Sequence, residues 1–330
     1  MLFNDCKNQI WILHENEEWI PPFKEAFARV GASFGELFLN GGQIDLDRPA
    51  PKGVFWSRLS ASSHTRGHAF SKEFGRATLA WLENSGRRVV NGSSVLELEV
   101  SKVAQHLALK TAGFVVPKTR AVFSKEELFD AAQEFYSELK APFITKHNQG
   151  GKGLGVKLFD NPQELKSQLG EFDDSADGIF LLQEYVRAKV PFITRAEFVG
   201  GEFCYAVRVD TSDGGFELCP AEACDIDRAK KPKLAATACS IGAKFEIRDE
   251  ITAQTPIIAS LQRFLEQHKV EIAGVEFIEN TQGEIVVYDI NTNTNYNKAV
   301  EEGLRAQGKK GAADKVVEFL LAQLDKSNSI

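Results

Sequence analysis

The sequence predicts an α/β protein, and three features carry that prediction. Short β-branched and aromatic runs alternate with segments of helical periodicity, a pattern that favours α/β over all-α or all-β architecture. A glycine-rich stretch at 150–155 lies between two apolar runs, so that strand, loop and strand follow one another. Lastly, Ile285-Val286-Val287 leads straight into a polar segment holding Asp289, Asn291, Asn293, Asn295 and Asn297. If that strand continues, its period of two puts all five side chains on one face. Such a row of oxygens suits a hard cation such as Mg²⁺. An Asn-rich turn is the alternative reading, because asparagine favours turns.

In order along the chain, Ile10-Trp11-Ile12-Leu13 reads as a first strand, and Pro21 and Pro22 open a helix running to about Val30. Glu36 to Leu39 and Val54 to Trp56 are candidate strands, with loops at Gly41-Gly42 and at 49–53. Residues 68–85 carry a helical apolar pattern ended by Gly86, and Val89-Val90 is a short strand. These elements make a small doubly wound unit, about 1–95. Ser101 is the expected N-cap of a helix from Lys102 to Thr111, stopped by Gly113. A strand at 119–122, a helix capped by Ser124 with Glu127 at capping-box spacing, and the strand Pro142 to Lys146 follow. After the glycines come Val156 to Phe159, a helix from Asn161-Pro162, and the strand Phe180 to Gln183. Phe192 to Val199 and Phe203 to Val209 form a hairpin about Gly200-Gly201. The rest reads as a helix from about Glu250 to His268, strands ending at Phe277 and Ile290, and a helix over Ala312 to Leu324. There is no internal repeat.

Composition narrows the function classes. The chain has 330 residues, 43% of them hydrophobic, which is ample for two or three domains. A net charge of −7 with both signs interspersed argues against a general nucleic-acid binder. No signal peptide is read in Met1 to Asn8, and no run approaches a membrane span of ~20 apolar residues. The cysteines, at 6, 204, 219, 224 and 239, make no CxxC pair and read as reduced cytosolic thiols, so a cytoplasmic location is expected. Asn91-Gly92-Ser93 is taken as a chance glycosylation match, and His106 and His268 lack spaced partners for a metal.

The glycine-rich loop is the strongest chemical signal. Gly150, Gly151, Gly153 and Gly155 allow backbone N–H groups to approach an anion without Cβ clashes. It is not a Walker A loop, because no Ser or Thr follows Gly151-Lys152, and its flanking strands rule out a dinucleotide fingerprint. A strand–loop–strand phosphate cover fits; a flexible hairpin tip is the bland alternative. Lys146, ending an apolar strand, calls for an anionic partner and favours the first.

With these motifs in order, residues of about 90–300 resemble the ATP-grasp superfamily, and within it are similar to RimK-type carboxylate–amine (α-L-glutamate) ligases. The resemblance implies an ATP-grasp (α+β grasp) fold preceded by a small Rossmann-like N-terminal domain. The units would be 1–95, a central subdomain 96–185 with the glycine loop, and 186–330 with a metal site. Lys102 and Lys146 match the two phosphate-contacting lysines. Gly150 to Val156 match the loop that closes over the phosphates. Gln183, Glu184, Tyr185 and Val186 match the hinge that holds adenine and ribose. Arg208 matches an arginine near the transferred phosphoryl group, and Glu276, Asp289 and Asn291 match the metal triad. The cofactors implied are ATP and two Mg²⁺, with Mn²⁺ as an alternative. The triad is physically sensible, since a buried carboxylate pair repels unless a cation lies between them.

The chain departs from the family at three places. Ile193-Thr194-Arg195 keeps only the arginine of an Asp-x-Arg motif. Glu276 and Asp289 exchange the usual Asp and Glu, and Asn291 runs on into Thr-Asn-Thr-Asn rather than into small residues and proline. Asn293 and Asn295 are therefore candidate substrate contacts, with Arg195. The 56–68 loop adds Arg58, His64 and Arg66, which suit a carboxylate or equally a solvated loop before a helix capped by Thr65. The implied reaction makes an amide through an acyl phosphate from small-molecule carboxylate and amine substrates, glutamate, another amino acid or a peptide. Other grasp chemistry (phosphoryl transfer or carboxylate–thiol ligation) and a non-catalytic ATP-binding module remain alternatives, and a homo-oligomer is left open.

Overall fold

A computed structural model describes residues 8–328 except 152, 154 and 213–243. The first sheet is wholly parallel, in the order β2-β1-β3-β4. Its strands are β1 (Gln9–His14), β2 (Phe34–Phe38), β3 (Gly53–Arg58) and β4 (Arg88–Val90). Strand alternation divides β1 between two cores. Ile10 and Ile12 pack with Phe23 and Phe27 of α1 (Pro21–Arg29), while Trp11 and Leu13 pack with Leu79 and Leu82 of α2 (Ser71–Asn84). Each such apolar side chain stabilises the fold by ~1.5–3 kcal/mol. Two short helices, α3 (Ser93–Glu99) and α4 (Lys102–Thr111), lead out of this unit.

The second sheet is antiparallel, in the order β5-β8-β6-β7. It comprises β5 (Thr119–Phe123), β6 (Phe143–His147), β7 (Lys157–Phe159) and β8 (Ile179–Glu184). Phe143, Phe159, Phe180 and Leu182 on one face pack against α5 (Leu128–Leu139) and α6 (Pro162–Gln168). The third sheet, also antiparallel, runs β11-β10-β9-β12-β13. These strands are β9 (Phe192–Val199), β10 (Glu202–Asp210), β11 (Phe245–Ile247), β12 (Ile272–Glu279) and β13 (Ile285–Asn291). Gly200 and Gly201, both at positive φ (63° and 78°), make the β9–β10 turn. One face of the sheet packs on α7 (Pro256–Gln267). The other shares a core with the first sheet through the last helix, α9 (Ala312–Asn328), whose Val316, Val317 and Leu320 join Ile10, Val54, Ile193 and Val199.

Several local expectations change. Ser124 does not cap a helix: its φ is +70°, and α5 starts at Leu128 with no side-chain cap. The α7 helix begins at Pro256 rather than Glu250, with Pro fixing its first turn. Thr65 caps nothing, since Ser63–Arg66 is itself a 3-10 turn in which Thr65 Oγ1 donates to Ser62 O (2.8 Å). The asparagine ladder stops at Asn291, where β13 ends, because Thr292 turns its N–H and hydroxyl to the Glu99 carboxylate (2.8 and 2.9 Å). Asn297 instead caps α8 (Lys298–Ala306) by accepting from Val300 N (3.1 Å). Both α3 and α8 escape the sequence pattern. Cys204 carries a free thiol pushed up to about 12 by burial; the other four cysteines lie outside the described residues. Among the described residues no helix is long and apolar enough to cross a membrane.

Candidate functional site

A cleft of about 330 Å³ opens between the second and third sheets, and loops of the first unit close one end. That volume is in the range of small-molecule sites. Lys102 and Lys146 both reach it, and the start of α4 explains why they converge. Asn148, just beyond β6, accepts from Val103 N (2.9 Å) and from Ser101 Oγ (3.3 Å), while its backbone O accepts from Lys102 N (3.3 Å). Ser101 caps the helix as expected, through Ala104 N (3.2 Å). Lys102 Nζ is ion-paired with Asp289, and this carboxylate, with Glu99 and Glu276, holds its pKa up against the opposing pull of burial. Lys146 pairs with no carboxylate among the described residues. Burial and the neighbouring Lys102 cation push it down to about 7.

Gly150, Gly151 and Gly153 line the cleft. Gly151 also lies against Ser62 of the first unit, where a Cβ would meet the side chain at 3.4 Å. Gly155 (φ +75°) does not line the cleft; it sits beside the His147 ring. Lys152 and Leu154 lie outside the described residues. Gln183, Glu184, Tyr185 and Val186 follow one another along the cleft wall, which the apolar Ile144, Leu158 and Ile278 also line, making an apolar slot. The Gln183 amide donates to Thr119 Oγ1 (2.8 Å), and Glu184 Oε2 accepts from Lys118 N (3.1 Å).

Glu276 and Asp289 are direct cross-strand partners on β12 and β13. The Asn291 amide donates to Asp289 Oδ2 (3.2 Å), so all three expected ligands are adjacent on the cleft wall. Glu276 accepts from Arg195 Nη1 (2.7 Å) and from the Tyr288 hydroxyl (2.9 Å). Burial raises its pKa, Arg195 opposes, and the Asp289 charge raises it further. For Asp289 burial pulls upward, but Lys102 and Lys146 outweigh it and lower the pKa. Among the described residues no three His, Cys, Asp or Glu side chains cluster as a metal site. The candidate cage is instead two carboxylates and an amide. These hard oxygens, with a lysine as local counter-charge to Asp289, fit Mg²⁺.

Arg195, like Asn293 and Asn295, lines the cleft. It is fixed by Glu197 (2.6 Å), Glu276 (2.7 Å) and Thr294 Oγ1 (2.7 Å). Burial would lower its pKa, but the two carboxylates outweigh that and raise it. Gly274 makes room, since a Cβ there would stand 2.5 Å from Arg195 Nη2. Arg208 is placed differently from the sequence expectation. Its register partner is Thr194, so it projects from the opposite face of the sheet to Arg195, and it stacks over Phe192 (5.0 Å) near Glu246 (3.6 Å).

The structure does not bring Arg58, His64 or Arg66 into the cleft wall. Arg58 is buried between Phe23 (4.5 Å) and Trp56 (5.0 Å). It donates to Trp19 O (2.8 Å), Thr294 O (2.7 Å) and Asn295 Oδ1 (3.0 Å). Burial takes its pKa down to about 10. Arg66 pairs with the buried Glu15, and His64 is partly buried with its pKa lowered, first by burial and then by Lys72. The same loop supplies Ser60 and Ser62 to the cleft instead, beside Trp19. Sequence reasoning missed Glu99, which lines the cleft from the end of α3. Its only signal was position, two residues before Ser101 in an unassigned helix.

Comparison with known proteins gives the fold. Residues 100–220 match the RimK-like ATP-grasp domain. No curated protein sequence matches. D-cycloserine synthetase DcsG superposes with a TM-score of 0.63 at 16% identity, over 96% of this chain and 99% of that one. The ATP-grasp ligase PsnB, in complex with a minimal precursor, Mg and ADP, gives a TM-score of 0.64 at 13% identity, over 97% and 98%. VanG D-Ala:D-Ser ligase from Enterococcus faecalis gives 0.64 at 14%, over 96% and 99%. The chain has the ATP-grasp fold, and its match to the RimK-like domain spans residues 100–220.

Proposed function

We propose that this ATP-grasp protein is an ATP-dependent carboxylate–amine ligase. The observation that carries the reading is the meeting of Lys102, Lys146, three loop glycines and the Glu276–Asp289–Asn291 group on one cleft. A nucleotide base fits the apolar slot beside Gln183 to Val186, with its phosphates directed to the glycines and lysines. Divalent cations held by Glu276, Asp289 and Asn291, two Mg²⁺ in our reading, would offset phosphate charge. A substrate carboxylate oxygen attacks the γ-phosphorus, the bond to the bridging oxygen breaks, and ADP leaves. An amine nitrogen then attacks the acyl carbon, inorganic phosphate departs with the bonding electrons, and the ammonium protons are lost to the medium. The protein's part is chiefly positioning and charge neutralisation by Lys102 and Lys146. Arg195, held by Glu197 and Glu276, would orient Glu276 rather than touch phosphate. The likeness to DcsG, PsnB and VanG supports ligation in general, and the RimK-like domain favours an amino acid such as glutamate among the substrates.

The test is ADP release across pairs of amino acids, peptides and carboxylic acids, with hydroxylamine added in parallel to trap an acyl phosphate as the hydroxamate. Amide and stoichiometric ADP are expected for at least one pair. Nucleotide binding without turnover in every pair refutes the reading.

A further inference from the structure

Two neighbouring side chains of the cleft have hydrogen-bonding capacity that no described residue uses. Glu99, at the end of α3, spends only one oxygen: Oε2 accepts from Thr292 N (2.8 Å), Thr292 Oγ1 (2.9 Å) and Asn293 N (3.4 Å). Its Oε1 accepts from no described residue, although the side chain lines the cleft. Lys102, the cation whose charge acts on Glu99, is paired with Asp289 rather than with Glu99. Asn293 is 8% exposed, yet among the described residues neither its Oδ1 nor its Nδ2 has a partner, and it lines the same cleft. Buried polar groups in native folds are nearly always satisfied, so an orphaned amide on a residue that lines a cavity points to a ligand. Gln105, close by, is no rival: its amide is committed to Leu98 O, Ile290 O and Ile290 N.

We infer that Glu99 and Asn293 form the subsite for an α-aminoacyl group, a protonated primary amine with a carbonyl beside it, as on a free amino acid, an amino-acid amide or a peptide N-terminus. This rests on the ligase reading and assigns the amine partner its place. The chemistry is set by what the two side chains offer. Glu99 Oε1 and Asn293 Oδ1 are acceptors for an ammonium, and Asn293 Nδ2 is a donor for the adjoining carbonyl; burial raises the Glu99 pKa, and an ammonium beside it favours the charged carboxylate. A carboxylate substrate would meet the Glu99 charge and be repelled, so the two substrates are sorted to different ends of the cleft.

Glu99 also pins the 292–293 turn, so the test must separate charge from scaffolding. Glu99→Gln keeps a carbonyl oxygen for Thr292 and loses the charge. Glycinamide is titrated calorimetrically into protein loaded with Mg–ADP, with N-acetylglycinamide as the uncharged control. Wild type is expected to bind glycinamide at least about tenfold more tightly than Glu99→Gln does, and about tenfold more tightly than it binds the acetylated control. Asn293→Leu is expected to weaken glycinamide as well, and it serves alone if the glutamate variant fails to fold. Mg–ADP is kept saturating for each of the three proteins, so that the comparison reads glycinamide binding alone. Equal glycinamide affinity in wild type and variants, equal binding of the acetylated control, or no glycinamide binding to wild type would overturn the assignment. Failure of the ligase reading shows separately, as absence of ADP release from any substrate pair while the glycinamide difference persists.

Discussion

Lys146→Met should change how the stability of the nucleotide-free protein responds to pH. The lysine is 7% exposed, without a carboxylate partner among the described residues, and pushed from its ordinary 10.5 down to about 7 by burial and by Lys102. Between these two values the unfolded chain holds a proton that the folded chain has released. The unfolded state thus binds more protons, and stability rises with pH across this window. The slope is up to about 1.4 kcal/mol per pH unit, so wild type should gain about 2–3 kcal/mol between pH 7 and pH 9 from this one group. Urea unfolding at pH 7, 8 and 9 in both proteins isolates the effect, because other titrating groups cancel in the difference. Wild type should overtake or close on Lys146→Met by about that amount as pH rises. Bound phosphate restores the charge, so adding Mg–ATP analogue at pH 8 should draw close to one proton into wild type, read from the dependence of binding enthalpy on buffer. Parallel stability profiles, differing by less than about 0.5 kcal/mol over the range, would show that Lys146 is solvated and the argument unsound.

Asp289→Asn should reduce turnover at least about a hundredfold with the fold retained, measured as ADP release alongside circular dichroism. Gly274→Ala should destabilise by about 1–3 kcal/mol in urea, because the Arg195 guanidinium 2.5 Å from the new Cβ is held on three sides and cannot yield. Arg58→Leu should cost about 3 kcal/mol, since it leaves the Trp19 and Thr294 carbonyls without their buried donor. Arg195→Ala should lower kcat far more than Arg208→Ala does; the reverse order would mean that the working geometry turns Arg208 towards the cleft.

Much of this was legible because it follows from local rules. Alternation in Ile10 to Leu13, the prolines at 21 and 22, and the glycine pair at 200–201 each act over a few residues. That Lys102, Lys146, Glu276, Asp289 and Asn291 would share one cleft could be anticipated because their neighbours form ordered motifs. What failed depends on distant partners. Nothing near Asn291 announces that Thr292 will be drawn aside by Glu99, nearly two hundred positions earlier in the chain. Arg58 and Arg66 look like free cations in sequence, and only the fold supplies the carbonyls and the Glu15 carboxylate that occupy them. The side of the sheet that Arg208 takes is set by a bulge between Phe203 and Tyr205, a single-residue register change with no composition signal.

The position of α9 bears on how the chain acquires its shape during synthesis. Residues 312–328 cover the apolar side of a sheet whose strands were made first, and the Glu301 carboxylate holds the helix start through Ala312 N (2.9 Å) and Ala313 N (3.2 Å). On the ribosome, Ile10, Val54 and Trp56 emerge more than two hundred residues before their cover. At ~5–20 residues per second that is an interval of about ten seconds or more, during which the nascent first unit is exposed to chaperones and to its own neighbours. The strands β1 and β3 thus complete their core only once a helix more than two hundred residues further along the chain has been made.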